Sequence, residues 1–464
     1  MRFLGRALVT LIVLAAPALG AAYWYAGTLP GPQIELRAPE KYVGRRAQLE
    51  FSVDSPKGEF SSITAVFAQN GTSTTLFSTD PSSQPAGEVA QQSATRIFVM
   101  RPLDRHTIPG LKSGPATITV TASRPVLYGL RTAATSVARD LDVRLDPPRV
   151  SVLSLHHFVN HGGPEFVVFR VDPTDAQGAV RVGTVEYPAY PGESVGIADS
   201  GMRVAFFALG YDQDRDTPLA VVARDVAGNE AAAALDSRVF PRTFARSRIE
   251  VDDRFLSRVV PAIAQNTPDF EIDTEDLLKG YLAINTGLRR ANDATLRELA
   301  AKSRPEMLWR EAFAQLGNTS IESRFADYRT YFYNGQEIDR QVHLGFDLAS
   351  VQRAPVAASN RGIVLFTGYL GIYGNCVVID HGLGVQTLYA HLSEIGVREG
   401  QPVEKGESIG RTGTTGLAGG DHLHFSILIN GTPVSPIEMW DPHWMEDRVF
   451  RKIREAGGRA PAGE

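Results

Sequence analysis

His343-Leu344-Gly345-Phe346-Asp347 and, later, Gly419-Gly420-Asp421-His422-Leu423-His424-Phe425 are the two stretches on which the reading of this chain turns. In a strand, side chains two apart share a face, so His422 and His424 point together, and by the same rule so do His343 and Asp347. A third cluster, Leu388-Tyr389-Ala390-His391-Leu392-Ser393, lies between them. Half of the chain's ten histidines fall in its last quarter, among glycine-rich, strand-like text. Two imidazoles and a carboxylate suffice for a catalytic zinc with an open fourth position, and further histidines beside it can hold water and stabilise oxyanion charge.

Around these clusters the text resembles the lysostaphin-type (LytM-type) zinc endopeptidases of bacterial cell walls. The likeness runs from His343 to about Trp440. It is carried by His343-x-Gly-x-Asp347, Ala354-Pro355-Val356-x-Ala358, Tyr373-Gly374-Asn375, Val378-Ile379-Asp380-His381-Gly382, Thr387-Leu388-Tyr389-Ala390-His391-Leu392, Val403-x-Lys405-Gly406, Gly413-x-Thr415-Gly416 and His422-Leu423-His424-Phe425. It implies a small antiparallel β-domain whose groove holds Zn2+ on His343, Asp347 and His424, with His391 and His422 as the catalytic histidines. His381 matches a family position that is neither ligand nor catalytic and is read as structural. Two departures concern groove shape and leave the ligands intact: Gly419-Gly420-Asp421 before His-Leu-His, and Ser426 where the family often has an acid. No His-Glu-x-x-His helix is present, which excludes the thermolysin-like design.

Upstream, the 464 residues imply several domains. A hydrophobic share of 43% against 21% charged excludes a disordered chain, and a net charge of −5 gives no footprint for nucleic acid. The single cysteine, Cys376, excludes a disulfide framework and reads as a small core residue. Arg2 and Arg6 precede an apolar run, Ala7 to Ala26, that ends in Tyr23-Trp24-Tyr25. This pattern fits a cleaved signal or an uncleaved anchor, with the anchor favoured. It places the rest of the chain in the cell envelope, on the periplasmic side of the inner membrane.

From Gln33 on, short alternating runs such as Ala47-Gln48-Leu49-Glu50-Phe51-Ser52-Val53 and Ala116-Thr117-Ile118-Thr119-Val120-Thr121 read as half-buried strands, and Pro147-Pro148 marks a boundary. Ala223-Arg224-Asp225-Val226-Ala227-Gly228-Asn229-Glu230 locally resembles a turn of bacterial immunoglobulin-like domains. The expected architecture is therefore multidomain and mainly β. A membrane segment covers 1–30, a β-sandwich module 31–146, an immunoglobulin-like β-module 147–245, and a helical linker unit 246–330. The lysostaphin-type peptidase domain covers 331–445 and a polar tail 446–464. One larger irregular β-domain remains the alternative to two sandwiches. Within the helical unit, Asp253 to Ala264 is amphipathic, Asp273-Thr274-Glu275-Asp276 opens a helix, and Pro305 opens another carrying Met307, Leu308, Trp309 and Phe313. His156-His157 and His161 read as a loop between strands.

The function implied is zinc-dependent hydrolysis of peptide cross-links or bridges in peptidoglycan, with envelope proteins as expected partners of the β-modules. The alternative is a non-catalytic relative that binds peptidoglycan and activates a separate amidase. In such relatives the ligand positions are usually lost, whereas all five residues are present here.

Overall fold

The computed structural model describes residues 2–55, 59–80, 89–91, 93 and 95–460. The chain divides into two compact units, Met1–Pro148 with Arg224–Glu230, and Arg149–Ala223 with Ala231–Glu464.

In the first unit a helix covers Arg2–Ala26 with Pro17 inside it; the side chains of residues 2–12 lie outside the described part. Among the described residues no helix is long and apolar enough to cross a membrane. Two sheets follow. One carries Gln33–Ala38, Gln48–Asp54, Arg96–Pro102 and Val89–Gln91, the other Tyr42–Val43, Arg131–Val143, Gly114–Val126, Ser62–Gln69 and Thr72–Ser78. Alternation decides their inner faces: Leu49, Phe51 and Val53 from one sheet and Ile63, Ala65 and Phe67 from the other share one buried core. This is a sandwich, formed because each sheet has one apolar face to hide.

The second unit opens on strands Arg149–Val152, Pro164–Asp172, Met202–Ala208 and Tyr190–Pro191. Phe166, Val167, Val168 and Phe169 are all fully buried, so Pro164–Asp172 is covered on both faces. Its core runs on without a break into Phe346, Leu348, Val377 and Phe425. Trp309 joins them, lying 6.0 Å from Phe206, 5.5 Å from Phe313 and 5.7 Å from Phe450 between ring centroids.

Two expectations change here. The segment after Pro305 is not helical. Its amides donate outward, Leu308 to the His381 carbonyl at 3.0 Å, Phe313 to Met439 at 2.8 Å and Ala314 to Ser359 at 2.8 Å, so segments distant in sequence replace the intrahelical partners. The segment from 446 is no free polar tail: it continues as a helix over Arg451–Glu455, with Val449, Phe450 and Ile453 in the core. Lys452 is buried as well, its Nζ donating to Glu165 Oε1 at 2.9 Å and to the Phe166 carbonyl at 2.7 Å.

The helical unit contains Asp253–Asn266, capped by Asp252, and Leu277–Ala283, capped by Asp276. The second of these runs through a π-turn, Ile284–Leu288, into Arg289–Ala300. Pro261 is accommodated within the first helix. Leu256, Val259, Val260, Ile263, Leu296 and Leu299 form one core with Ile372, Tyr373, Cys376 and Val378. The helices are thus packed on the sheet that carries the histidines.

That sheet is antiparallel, in the order Ser320–Ser323, Phe346–Ala349, Leu423–Ile429, Val385–Ala390, Asn375–Asp380, Gly362–Tyr369, Pro402–Val403. A three-stranded sheet of Arg246–Val251, Asp327–Tyr333 and Gln336–His343 stands beside it.

Candidate active site

His343 and Asp347 do not share one strand. His343 ends Gln336–His343, and Asp347 lies on Phe346–Ala349 of the larger sheet. The break at Leu344-Gly345 brings the two side chains together. A Cβ on Gly345 would lie 2.6 Å from His424 Nε2 and from Ser426 Oγ, so the approach needs glycine. Register supplies the third residue: Asp347 stands opposite His424, which pairs on its other side with Ala390, the neighbour of His391. His422 sits just before that strand, bridged to Gly413.

All five predicted residues therefore meet at one place, and all are buried. His343 Nε2 lies 2.9 Å from Asp347 Oδ1 and 3.0 Å from His424 Nδ1, and His424 Nδ1 lies 3.0 Å from the same carboxylate oxygen. The other ring nitrogens decide the tautomers. His343 Nδ1 donates to the Arg324 carbonyl at 3.1 Å. The Ser426 hydroxyl donates to the Leu344 carbonyl at 2.9 Å, so its oxygen accepts from His424 Nε2 at 3.0 Å. Two imidazole lone pairs and a carboxylate oxygen thus face one point with no hydrogen between them. That arrangement is repulsive unless a cation fills it, and the donor set suits a divalent metal.

The remaining two histidines are oriented by the same device. His391 Nδ1 donates to the Thr415 carbonyl at 2.8 Å, which leaves its Nε2 open, and His422 Nδ1 donates to the Gly420 carbonyl at 2.9 Å, with its Nε2 facing Asp347 Oδ1 at 3.4 Å. Their rings are 4.9 Å apart, and His391 is 5.8 Å from His424. His391 is held at φ +63°, a left-handed conformation uncommon for a residue with a side chain and often found at functional sites.

Burial pushes His391 well below the ordinary imidazole range, and the neighbouring His422 adds to this; burial first also takes His424 down to about 4. Both are neutral at neutral pH. His422 moves the other way: burial would lower it, but its bond and attraction to Asp347 outweigh that. Asp347 is held ionised, because the His343, His422 and His424 side chains overcome the burial that would raise it.

Several residues of the site were not legible in sequence. Arg329 donates to Asp347 Oδ2 at 2.9 Å and to Ser323 Oγ at 2.8 Å, so the carboxylate's second oxygen is tied while Oδ1 faces the histidines. Tyr281, Asn285 and Arg289 from the helical unit line the same cleft, of about 790 Å³, with Phe255 and Arg258. No motif marks them. Ser426, conspicuous in sequence only as a departure, sets the tautomer of His424. Ser426→Ala is accordingly expected to weaken metal binding about 10–100-fold, read by chelator competition on the purified protein; unchanged affinity would remove that role.

Elsewhere the histidines are structural. His381 bonds the Arg361 carbonyl at 2.7 Å and Thr387 Oγ1 at 2.8 Å. His157 begins strand His157–Asn160 and bonds Ser154 and Asp236. Cys376 is buried, and burial pushes its thiol up.

The cleft thus gathers a His-Asp-His donor cluster that could hold a metal ion, with two further imidazoles beside it. Residues 341–436 match the family described as Peptidase family M23, and this stretch is an M23 (LytM-type) domain. DD-carboxypeptidase/endopeptidase Mpg of Neisseria meningitidis serogroup B is 48% identical over 99 residues, 21% of this chain and 23% of that protein. Peptidoglycan DD-endopeptidase ShyA of Vibrio cholerae serotype O1 is 42% identical over 96 residues, 21% of this chain and 22% of that protein. ShyB of the same organism, also named a peptidoglycan DD-endopeptidase, is 38% identical over 118 residues, 25% and 27%. The match spans about a quarter of the length of these relatives.

Proposed function

We propose that this protein is a zinc-dependent endopeptidase that hydrolyses peptide cross-links or bridges of bacterial peptidoglycan. The observation that carries the reading is the convergence of three proton-free donor atoms with two further imidazoles, each fixed at Nδ1 by a backbone carbonyl. Zinc held there supplies Lewis acidity for the carbonyl and acidifies a water. The chain's own residues do the rest. His391, neutral and fixed at Nδ1, offers Nε2 to orient the attacking water and take its proton, and His422, also fixed at Nδ1 and shifted upward by Asp347, is placed to donate to the leaving amine. Their bonds to the developing oxyanion require no reorganisation, because backbone carbonyls already hold the rings. Arg329 ties Asp347 Oδ2 and so leaves Oδ1 facing the histidines.

Relatives named peptidoglycan DD-endopeptidases support the substrate class. The non-catalytic alternative is not favoured, since no ligand or catalytic position is lost. We place the chain in the cell envelope, held at the inner membrane by residues 7–26, on the charged-then-apolar pattern of its start. The test is release of cross-linked muropeptides from purified sacculi by the full chain, with and without chelator. Soluble, chelator-sensitive products are expected; sacculi left intact by zinc-loaded protein would overturn the reading.

A further inference from the structure

The helical unit brings one guanidinium into the cleft in an unusual way. In the π-turn Ile284–Leu288 the backbone register slips, so the Arg289 amide donates to the Ile284 carbonyl, five residues back. The Asn285 carbonyl, its partner in a regular α-helix, is instead taken by Arg289 Nε at 3.1 Å, while Arg289 Nη2 donates to Asn285 Oδ1 at 2.6 Å. Asn285 is fully buried and fixed in turn by Asp339, to which its Nδ2 donates at 2.7 Å. The guanidinium fork is thereby aimed, and among the described residues its hydrogen bonds go only to neutral oxygens. Asp293, one turn on, attracts Arg289 at a distance, but its hydrogen bond is with Tyr373. π-Turns inside helices are frequent at functional sites.

The position is close to the chemistry. Asn292, on the helix that Arg289 begins, accepts from the Ile372 amide at 3.0 Å, and the next residue, Tyr373, packs 5.7 Å from the His424 ring. Arg254 and Arg258 also line the cleft but are exposed, whereas Arg289 is half-buried. A half-buried, pre-oriented guanidinium with unused N–H groups is built for a carboxylate.

We propose that Arg289 forms a carboxylate-binding subsite that takes a free carboxylate next to the scissile amide of the substrate. This rests on the peptidase reading above and narrows it. A direct cross-link to the amine of diaminopimelate has such a group on the carbon bearing the scissile nitrogen; a glycine bridge or a lysine side chain does not.

The experiment uses the full zinc-loaded chain and two cross-linked muropeptide dimers, one with the diaminopimelate carboxyl free and one with it amidated. Binding is followed by calorimetry and hydrolysis by product formation. Wild type is expected to favour the free acid in both Kd and KM by about tenfold to a hundredfold. R289Q should lose that preference, chiefly through KM rather than kcat, and R289K should recover part of it, with zinc content unchanged in both. Equal treatment of the two dimers by wild type, or a preference retained in R289Q, would overturn the subsite. Discrimination in binding without hydrolysis of either dimer would uphold the subsite and overturn the peptidase reading.

Discussion

His424→Ala is expected to empty the metal centre and to end cross-link hydrolysis, a fall of at least ~10⁴, about 5.5 kcal/mol of barrier. His424 is the hinge of the donor set. Its Nδ1 stands 3.0 Å from both His343 Nε2 and Asp347 Oδ1, and no other donor can replace it, because its strand position opposite Asp347 is fixed by register. Asp347→Ala should act as severely for a different reason. It removes the one anionic ligand and leaves the Arg329 guanidinium without that partner beside two histidines, which repels a cation. His343→Ala belongs with them. Metal content by mass spectrometry of the native protein and hydrolysis, on the same preparations, check all three. Full occupancy in any variant would remove that residue from the ligand set.

The second large effect separates the remaining pair from the ligands. His391→Asn and His422→Ala should keep the metal and lose turnover by ~10²–10⁴, about 2.7–5.4 kcal/mol. Asparagine is the better probe at position 391 because it tolerates the left-handed backbone there, so the fold is retained while the imidazole is lost. Neither ring belongs to the tight donor triangle; His422 Nε2 reaches Asp347 Oδ1 only at 3.4 Å, and a fourth protein ligand would close the position that water needs. Zinc lost in step with activity in either variant would make that histidine a ligand and redraw the division of the five.

These five residues are all marked in the sequence, by motifs shared with the lysostaphin-type family and in part by local pattern. His422 and His424 are one alternation apart, so strand geometry alone puts them on one side. Even so, the local argument failed for His343 and Asp347. They meet across a break between two sheets, made possible by Gly345 against the His424 ring, and not along one strand face.

The same division holds for the scaffold. Alternation at Leu49, Phe51 and Val53, the acidic helix start at Asp273-Thr274-Glu275-Asp276 and the amphipathic run from Asp253 to Ala264 are properties of neighbouring residues, and they were legible. Pro305 and the residues after it also carry a helix signal, yet their amides find partners on segments distant in sequence, and Trp309 is worth more buried among Phe206, Phe313 and Phe450 than on a helix face. The charged text after 446 hides Lys452, whose burial depends on Glu165 far upstream.

From sequence alone came the resemblance that singles out His343, Asp347 and His424 as candidate ligands and His391 and His422 as candidate catalytic residues, and the strand faces that alternation reads out. Tertiary structure alone decided what completes the site. Ser426 and Arg324 fix which nitrogen of each ligand is bare, Arg329 ties the carboxylate, and a π-turn in the helical unit aims Arg289 into the cleft. Each is a partner found across the fold, where hydrogen-bond geometry and burial, and not periodicity, choose the neighbour.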